Sequence, residues 1–476
     1  MAQPYFFFLL QETPIPPVSP VFPLQKTKRM KHLPQSLTAV LLCAALASCH
    51  TSKQASAQQS INEHHEPEAA MVSAPTKKLV PVEPIATRSP EPASEPTPTA
   101  VGSQQALATA LQQALKDPLL QTSQVGICVY DLTDDCPIFL HGHQQRLRPA
   151  STMKLVTAIT AMRTLGVDYR YRTLLLATDS IDQTNGTLCG NLYIRGCMDP
   201  ILSSSDLRQL VADLAKAGVK QIKGDVCFDA SFKEESEAGW GWCWDDDNPP
   251  MDAFLLSGKG KGAFRDAFLQ QLRHKGIRLS GTAKLAHIPA NAQCIAECTH
   301  TLDQVLTTTL KESDNQMAES IFYQTAAYSG KRGAGRKEAA RLTQQLLDSL
   351  GIGSRHYEIA DGSGLSLYNY LTPELLVTLL RYAYKDGNIY DHLLPALPIA
   401  AKDGTLSKRM HGTRAAGNVC AKTGTLTGVS ALAGYLTASN GHRLAFAIIN
   451  QGIPSATAGR NFQDRLCQIM AEYGGE

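Results

Sequence analysis

Arg148-Pro149-Ala150-Ser151-Thr152-Met153-Lys154 is the stretch from which the fold of this chain is read. Pro149 and small residues precede an apolar pattern that runs to Leu165, which predicts a helix N-terminus, where a proline ring costs no hydrogen bond. A spacing of three then sets Lys154 beside Ser151 on one helix face. A serine hydroxyl is a poor nucleophile until a base takes its proton, and a neutral amine can be that base. Burial and a second nearby cation would push the lysine toward neutrality. The Ser151 N–H is available there as an oxyanion donor. Taken alone, Ser-x-x-Lys also fits a solvated helix face.

Two further stretches carry chemistry. Ser313-Asp314-Asn315 lies between helical patterns at 301–311 and 316–328, where it offers a hydroxyl to relay a proton and a carboxamide to grip a peptide backbone. It is equally a common loop and N-cap sequence. Lys422-Thr423-Gly424-Thr425 reads as a strand edge on which the glycine admits a ligand backbone, while Thr423, Thr425 and the Lys422 ammonium form a site for a terminal carboxylate.

Ser-x-x-Lys, then Ser-x-Asn, then Lys-Thr-Gly, in that order, resembles the penicillin-interacting serine enzymes, the DD-peptidases and the class A and related β-lactamases. From Ser151 to Ser313 is 162 residues, and from Ser313 to Lys422 is 109. A large insertion after the nucleophile helix is similar to the class C low-molecular-mass penicillin-binding proteins, the D-alanyl-D-alanine carboxypeptidase/endopeptidase family. Gly190-Asn191-Leu192-Tyr193-Ile194-Arg195-Gly196, Gly241-Trp242-Cys243-Trp244-Asp245-Asp246, Asp361-Gly362-Ser363-Gly364-Leu365-Ser366 and Asp403-Gly404-Thr405-Leu406 extend that resemblance over nearly all of residues 104–476.

The resemblance implies an acyl-enzyme on Ser151, with Lys154 as general base, Ser313 and Lys422 returning the proton, and Asn315, Thr423, Gly424 and Thr425 holding the substrate. It implies peptidoglycan stem peptides as substrate and β-lactams as inhibitors. Asp246 matches an inserted-domain carboxylate that meets the amino group of a diaminopimelate side chain, although the Trp-rich patch around it reads equally as a hydrophobic staple. Leu367 departs from the pattern, since the family usually carries arginine after Gly-Leu-Ser. Residues 251–255 also run quickly into 261–276, so a nested third domain is expected to be reduced or absent. A β-lactamase or esterase on the same scaffold and a non-catalytic cell-wall sensor are the rival functions.

The remaining sequence sets the frame. Residues 26–49 have a basic start, an apolar run at 37–46 too short to span a bilayer, and Leu46-Ala47-Ser48-Cys49, which resembles a lipobox. Residues 1–49 are read as a signal region that would leave a lipidated Cys49 tethered to a membrane in the periplasm of a Gram-negative-type bacterium; an ordinary cleaved signal is the alternative. Residues 50–103, rich in Ser, Ala, Glu, Pro and Gln, read as a disordered linker. The fold class is α+β: a catalytic domain at 104–172 plus 290–476, with an antiparallel sheet flanked by helices, and a smaller inserted α/β domain at 173–289. Asn440-Gly441 marks a hairpin between strands at 430–437 and 443–449. A net charge of +2 with no basic stripe argues against nucleic acid. No cofactor or metal is expected: there is no phosphate loop or His-Glu-x-x-His, and Cys294-x-x-x-Cys298 lacks a second ligand pair at a finger-like spacing. Twelve cysteines make some disulfides plausible, and buried free thiols equally so.

Overall fold

Along strand β1 (Gln124–Asp131) the side chains alternate between two environments. Val125, Ile127 and Val129 enter one apolar core, while Cys128 and Tyr130 enter another, as a pleated strand covered on both faces requires. The computed structural model describes residues 98–475, so the signal region, Cys49 and most of the linker lie outside the described residues. Helix α1 (Pro98–Ala114) begins inside the stretch read as linker, at a proline that suits a first helical turn. Strand β2 (Cys136–His141) pairs with β1, and a short 3₁₀ turn at Ala150–Thr152 leads into α2 (Met153–Leu165). Helix α2 is buried on nearly every side, which suits an apolar helix in the middle of a domain.

The chain then builds the insert: β3 (Arg170–Ala177), β4 (Ile181–Asp182), β5 (Thr187–Leu188), β6 (Leu192–Arg195), α3 (Ser204–Lys216), β7 (Gln221–Ile222), β8 (Val226–Asp229), α4 (Lys261–His274), β9 (Arg278–Leu279), β10 (Ala283–Leu285) and β11 (Gln293–Thr301). One sheet has the order β10-β8-β6-β3-β11 and a smaller one β4-β5-β7-β9. Strands β3 and β11 are antiparallel partners, so the chain enters and leaves the insert side by side. The limits read from the sequence, 172/173 and 289/290, fall within β3 and just ahead of β11. Residues 230–260 contain turns and an isolated bridge between Leu256 and Lys259, with no helix or named strand.

Five helices follow: α5 (Leu302–Lys311), α6 (Asn315–Ala327), α7 (Arg336–Ser349), α8 (Pro373–Lys385) and α9 (Gly387–Ala396). Strands β12 (Cys420–Leu426), β13 (Val429–Thr437) and β14 (Arg443–Gln451) then complete the main sheet, and α10 (Ala456–Ala471) closes the chain. The sheet order is β12-β13-β14-β1-β2, antiparallel throughout. Leu107 and Leu111 of α1 and Phe462, Leu466 and Met470 of α10 cover Ile127, Leu432, Phe446 and Ile448 on one face. The other face presents Ala431, Ala433, Ala445 and Ala447 in the core shared with α8 and α2. Small residues there let helices approach the sheet closely. Strand β12, which carries Lys422, is therefore an edge strand beside the nucleophile turn.

Candidate active site

Ser151 lies on the 3₁₀ turn ahead of α2, one turn before Lys154. Two close approaches fix that turn. A Cβ on Gly364 would sit 1.9 Å from the Ala150 carbonyl oxygen, and one on Gly424 would sit 2.7 Å from the Pro149 oxygen and 3.1 Å from the Ser151 nitrogen. Glycine at both positions lets the 361–369 segment and strand β12 close on the nucleophile from two sides.

Lys154 is fully buried, and its Nζ donates to Asn315 Oδ1 at 2.7 Å and to the Ser363 carbonyl at 2.8 Å. The third direction faces Ser151 Oγ at 3.0 Å. Burial lowers the Lys154 pKa to about 8, against the opposing field of Asp361, Glu319 and Asp314. Lys422 is also fully buried and donates to Ser313 Oγ and to the Thr423 carbonyl, both at 2.8 Å. Burial, with Lys154 repelling it, pushes Lys422 far below the ordinary lysine range.

Ser313 stands in the gap between α5 and α6 with φ +64°, a left-handed conformation that costs a side chain about 1 kcal/mol. Asp314 caps α6 by accepting from Met317 N at 2.8 Å, which sets Asn315 at the first helical position. On β12, Thr423 Oγ1 donates to Thr405 Oγ1 at 2.8 Å, and Thr425 is exposed. The structure thus joins Ser151, Lys154 and Asn315 in one set of hydrogen bonds and Ser313 with Lys422 in a second, with Gly424 packed on the nucleophile turn.

Asp246 takes no direct part in these bonds. Its carboxylate accepts from Cys243 N at 2.8 Å and closes its own loop. That loop is tied to the site, because Trp242 Nε1 donates to Asp361 at 2.9 Å and Trp240 packs on Tyr368 with ring centroids 4.9 Å apart. Trp244 is 93% exposed. Leu367 contributes its backbone: its carbonyl accepts from Arg148 Nε at 3.1 Å, and its N–H donates to Gly241 O. The ten cysteines of residues 104–475 are all free thiols.

Several groups beside the site were given no role from the sequence. Glu319, buried in α6, accepts from the Gly362 and Ser363 N–H groups at 3.0 and 2.8 Å, and so holds the carbonyl that Lys154 uses. Burial and the neighbouring Asp361 carboxylate push its pKa far above the usual carboxylate range. Asp361 accepts from Gly364 N, Ser366 N and Asn369 Nδ2, which ties the whole turn together. Thr405, which meets Thr423, lies in the Asp403-Gly404-Thr405-Leu406 stretch. The spacing of Glu319 four residues after Asn315, one helical turn on, is the signal that could have found it.

The D-Ala-D-Ala carboxypeptidase 3 (S13) family model matches residues 107–259 and 250–473. D-alanyl-D-alanine carboxypeptidase DacB of Haemophilus influenzae is 28% identical over 70% of this chain and 86% of its own length. The D-alanyl-D-alanine carboxypeptidase of Actinomadura sp. is 28% identical over 76% of this chain and 84% of its own. Among solved structures, penicillin binding protein 4 (dacB) of Haemophilus influenzae superposes with a TM-score of 0.67 at 26% identity, covering 76% of this chain and 99% of that one. Its complex with a β-lactam gives a TM-score of 0.62 at the same identity and coverage. The chain therefore belongs to the D-Ala-D-Ala carboxypeptidase 3 (S13) family and is a low-molecular-mass penicillin-binding protein.

Proposed function

We propose that this carboxypeptidase cleaves D-alanyl-D-alanine bonds of peptidoglycan stem peptides with Ser151 as nucleophile and Lys154 as its base. The observation that carries the assignment is the set of partners at Lys154 Nζ. A neutral amine has two N–H donors and one lone pair. Asn315 Oδ1 and the Ser363 carbonyl oxygen can only accept, so they take both donors, and the lone pair is left facing the Ser151 hydroxyl.

Ser151 Oγ attacks the carbonyl carbon of the penultimate D-alanine as its proton passes to Lys154 Nζ. The N–H groups of Ser151 and Thr425 stabilise the developing oxyanion, where one such donor is worth about 10²–10³ in rate. The C–N bond then breaks, and the departing amine takes a proton through Ser313 and Lys422. Water attacks the acyl-enzyme and gives a proton to Lys154, and as the C–O bond breaks that proton passes to Ser151 Oγ, releasing the shortened peptide and restoring the free hydroxyl and amine. Asn315 positions the peptide, and Thr423 with Thr425 receives the terminal carboxylate. Gly424 leaves room for the substrate backbone, and Asp246 meets a side-chain amine. Leu367 supplies no cation for a side-chain carboxylate, so discrimination there rests on other groups. β-Lactams acylate Ser151 in the same way and leave slowly.

The same reading has residues 26–49 export the chain to the periplasm of a Gram-negative-type bacterium and has lipid on Cys49 tether it to a membrane. In this reading the polar stretch that follows Cys49 serves as a spacer between the anchor and the enzyme. Cys49→Ala should move the protein from the membrane to the soluble fraction and remove the lipid mass from the mature N-terminus.

The decisive experiment incubates purified protein with labelled penicillin and with a pentapeptide muropeptide. Wild type should form a long-lived adduct and release D-alanine, and Ser151→Ala should do neither. D-alanine release surviving in Ser151→Ala would remove the nucleophile from the scheme. Rapid turnover of penicillin would favour the β-lactamase alternative.

A further inference from the structure

A second cluster of ligand-type side chains lies in the insert, away from the serine site. Cys298 and His300 are two residues apart on β11, so the pleat turns them to the same side. Asp206, in the first turn of α3, meets them there, with His300 Nε2 3.7 Å from its Oδ2. One donor atom each from Asp206, Cys298 and His300 lie within 4.8 Å of one another. We infer that Cys298, His300 and Asp206 form a binding site for a zinc ion.

The outer groups carry the argument beyond proximity. His300 Nδ1 is 2.6 Å from Asp199, which is almost fully buried and accepts from Ile201 N at 3.1 Å on its other oxygen. A carboxylate on Nδ1 orients the ring and leaves Nε2 facing Asp206, which is how metal-binding histidines are commonly held. Asp206 is held as well, by Ser203 N at 2.8 Å and Ser203 Oγ at 2.6 Å, in the capping box of α3. Cys298 is a free thiol, half-buried beside both.

A thiolate, an imidazole and a carboxylate make a donor set suited to a borderline-soft divalent ion. Bonds of about 2.0–2.3 Å in a tetrahedron place ligand atoms roughly 3.3–3.8 Å apart, a spacing that small side-chain rotations reach here. Water completes the fourth position. The metal cross-braces α3 to β11, the strand that runs directly into α5 and so toward Ser313. Cys294 is not needed: the partners of Cys298 come from the next but one residue and from a helix 92 residues upstream, which a search for paired cysteines along the chain does not detect.

Full-length protein stripped with chelator and titrated with Co²⁺ should take up one equivalent and show a thiolate-to-metal charge-transfer absorption, which Zn²⁺ then displaces. Cys298→Ser should abolish that band, and Cys294→Ser should leave it unchanged. His300→Gln should weaken Zn²⁺ binding at least about 100-fold, and Asp199→Asn about 10–100-fold, as loss of an outer partner does. Zn²⁺ should also raise the melting temperature of the wild type but not of Cys298→Ser. Penicillin labelling of Ser151 reports that each variant is folded. A wild-type protein that gives no thiolate band with Co²⁺, or a band that persists in Cys298→Ser, overturns the site; His300 is then a charged partner of two aspartates.

Discussion

Lys154 and Lys422 are both fully buried in the same cleft, yet their surroundings differ. Lys154 feels the carboxylates of Asp361, Glu319 and Asp314, which offset part of its desolvation and hold it near a pKa of about 8. Among the influences on Lys422 beyond burial is the other lysine, which drives it the same way as burial does. One cleft thus holds one amine whose pKa is kept near physiological pH and a second that both burial and its neighbour drive down, a separation set by environment. Breaking the pair should be unequal. Lys154→Met should lower the second-order rate of penicillin labelling by about 10³–10⁴ at pH 7, the full share of a general base. Lys422→Met should cost about 10² in the same measurement, because Ser151 keeps its base and only proton return and the strand edge suffer. Equal losses would mean that the two amines act as one unit.

The pH profile sharpens the same contrast. Only the neutral form of Lys154 accepts the Ser151 proton, so acylation should rise about tenfold per pH unit up to about 8 and level off above it. Stability follows by linkage. Unfolded chains hold the lysine proton to about 10.5 and the folded protein releases it near 8, so between those values the unfolded state binds more protons and the contribution of Lys154 to stability improves as pH rises. A labelling rate that falls between pH 6 and 8 would contradict the assignment of Lys154 as base.

Glu319 tests what holds Lys154 in place. Burial disfavours the Glu319 charge, and Gln keeps its shape and the oxygen that accepts from Gly362 and Ser363. Glu319→Gln should therefore label within about threefold of wild type at pH 7. Glu319→Ala strands two buried N–H groups, those of Gly362 and Ser363, and should cost about 1–3 kcal/mol in denaturant unfolding together with about tenfold in labelling.

This residue also marks how far the sequence could be read. Ser151, Lys154, Ser313, Asn315 and Lys422 were legible because each sits in a short motif whose local spacing sets its geometry, and the order of the motifs identified the family. The hairpin that closes the sheet was legible from two apolar strand runs and the Asn440-Gly441 turn, whose Gly441 has φ +86°. The support of Lys154 was not legible, because Glu319 and the 362–363 turn meet only through the fold, more than forty residues apart. The reading of Trp242 in a hydrophobic staple omitted its polar end, since the indole N–H reaches Asp361 across 119 residues.

The smallest effect separates strain from chemistry at Ser313. Its φ of +64° is tolerated by glycine and strained for any residue with a Cβ, while its hydroxyl is the atom that meets Lys422. Ser313→Ala and Ser313→Gly both delete the hydroxyl, so they should lose activity to a similar extent. They should differ in stability, with the glycine variant the more stable by about 1 kcal/mol, because only alanine keeps the backbone penalty. Denaturant midpoints at equal m-values measure that difference. If glycine is instead the weaker of the two, the extra freedom it brings to the unfolded chain outweighs the strain. The left-handed turn would then be held at little cost by the Asp314 cap and the end of α5, and the strained conformation at Ser313 would owe nothing to its place opposite Lys422.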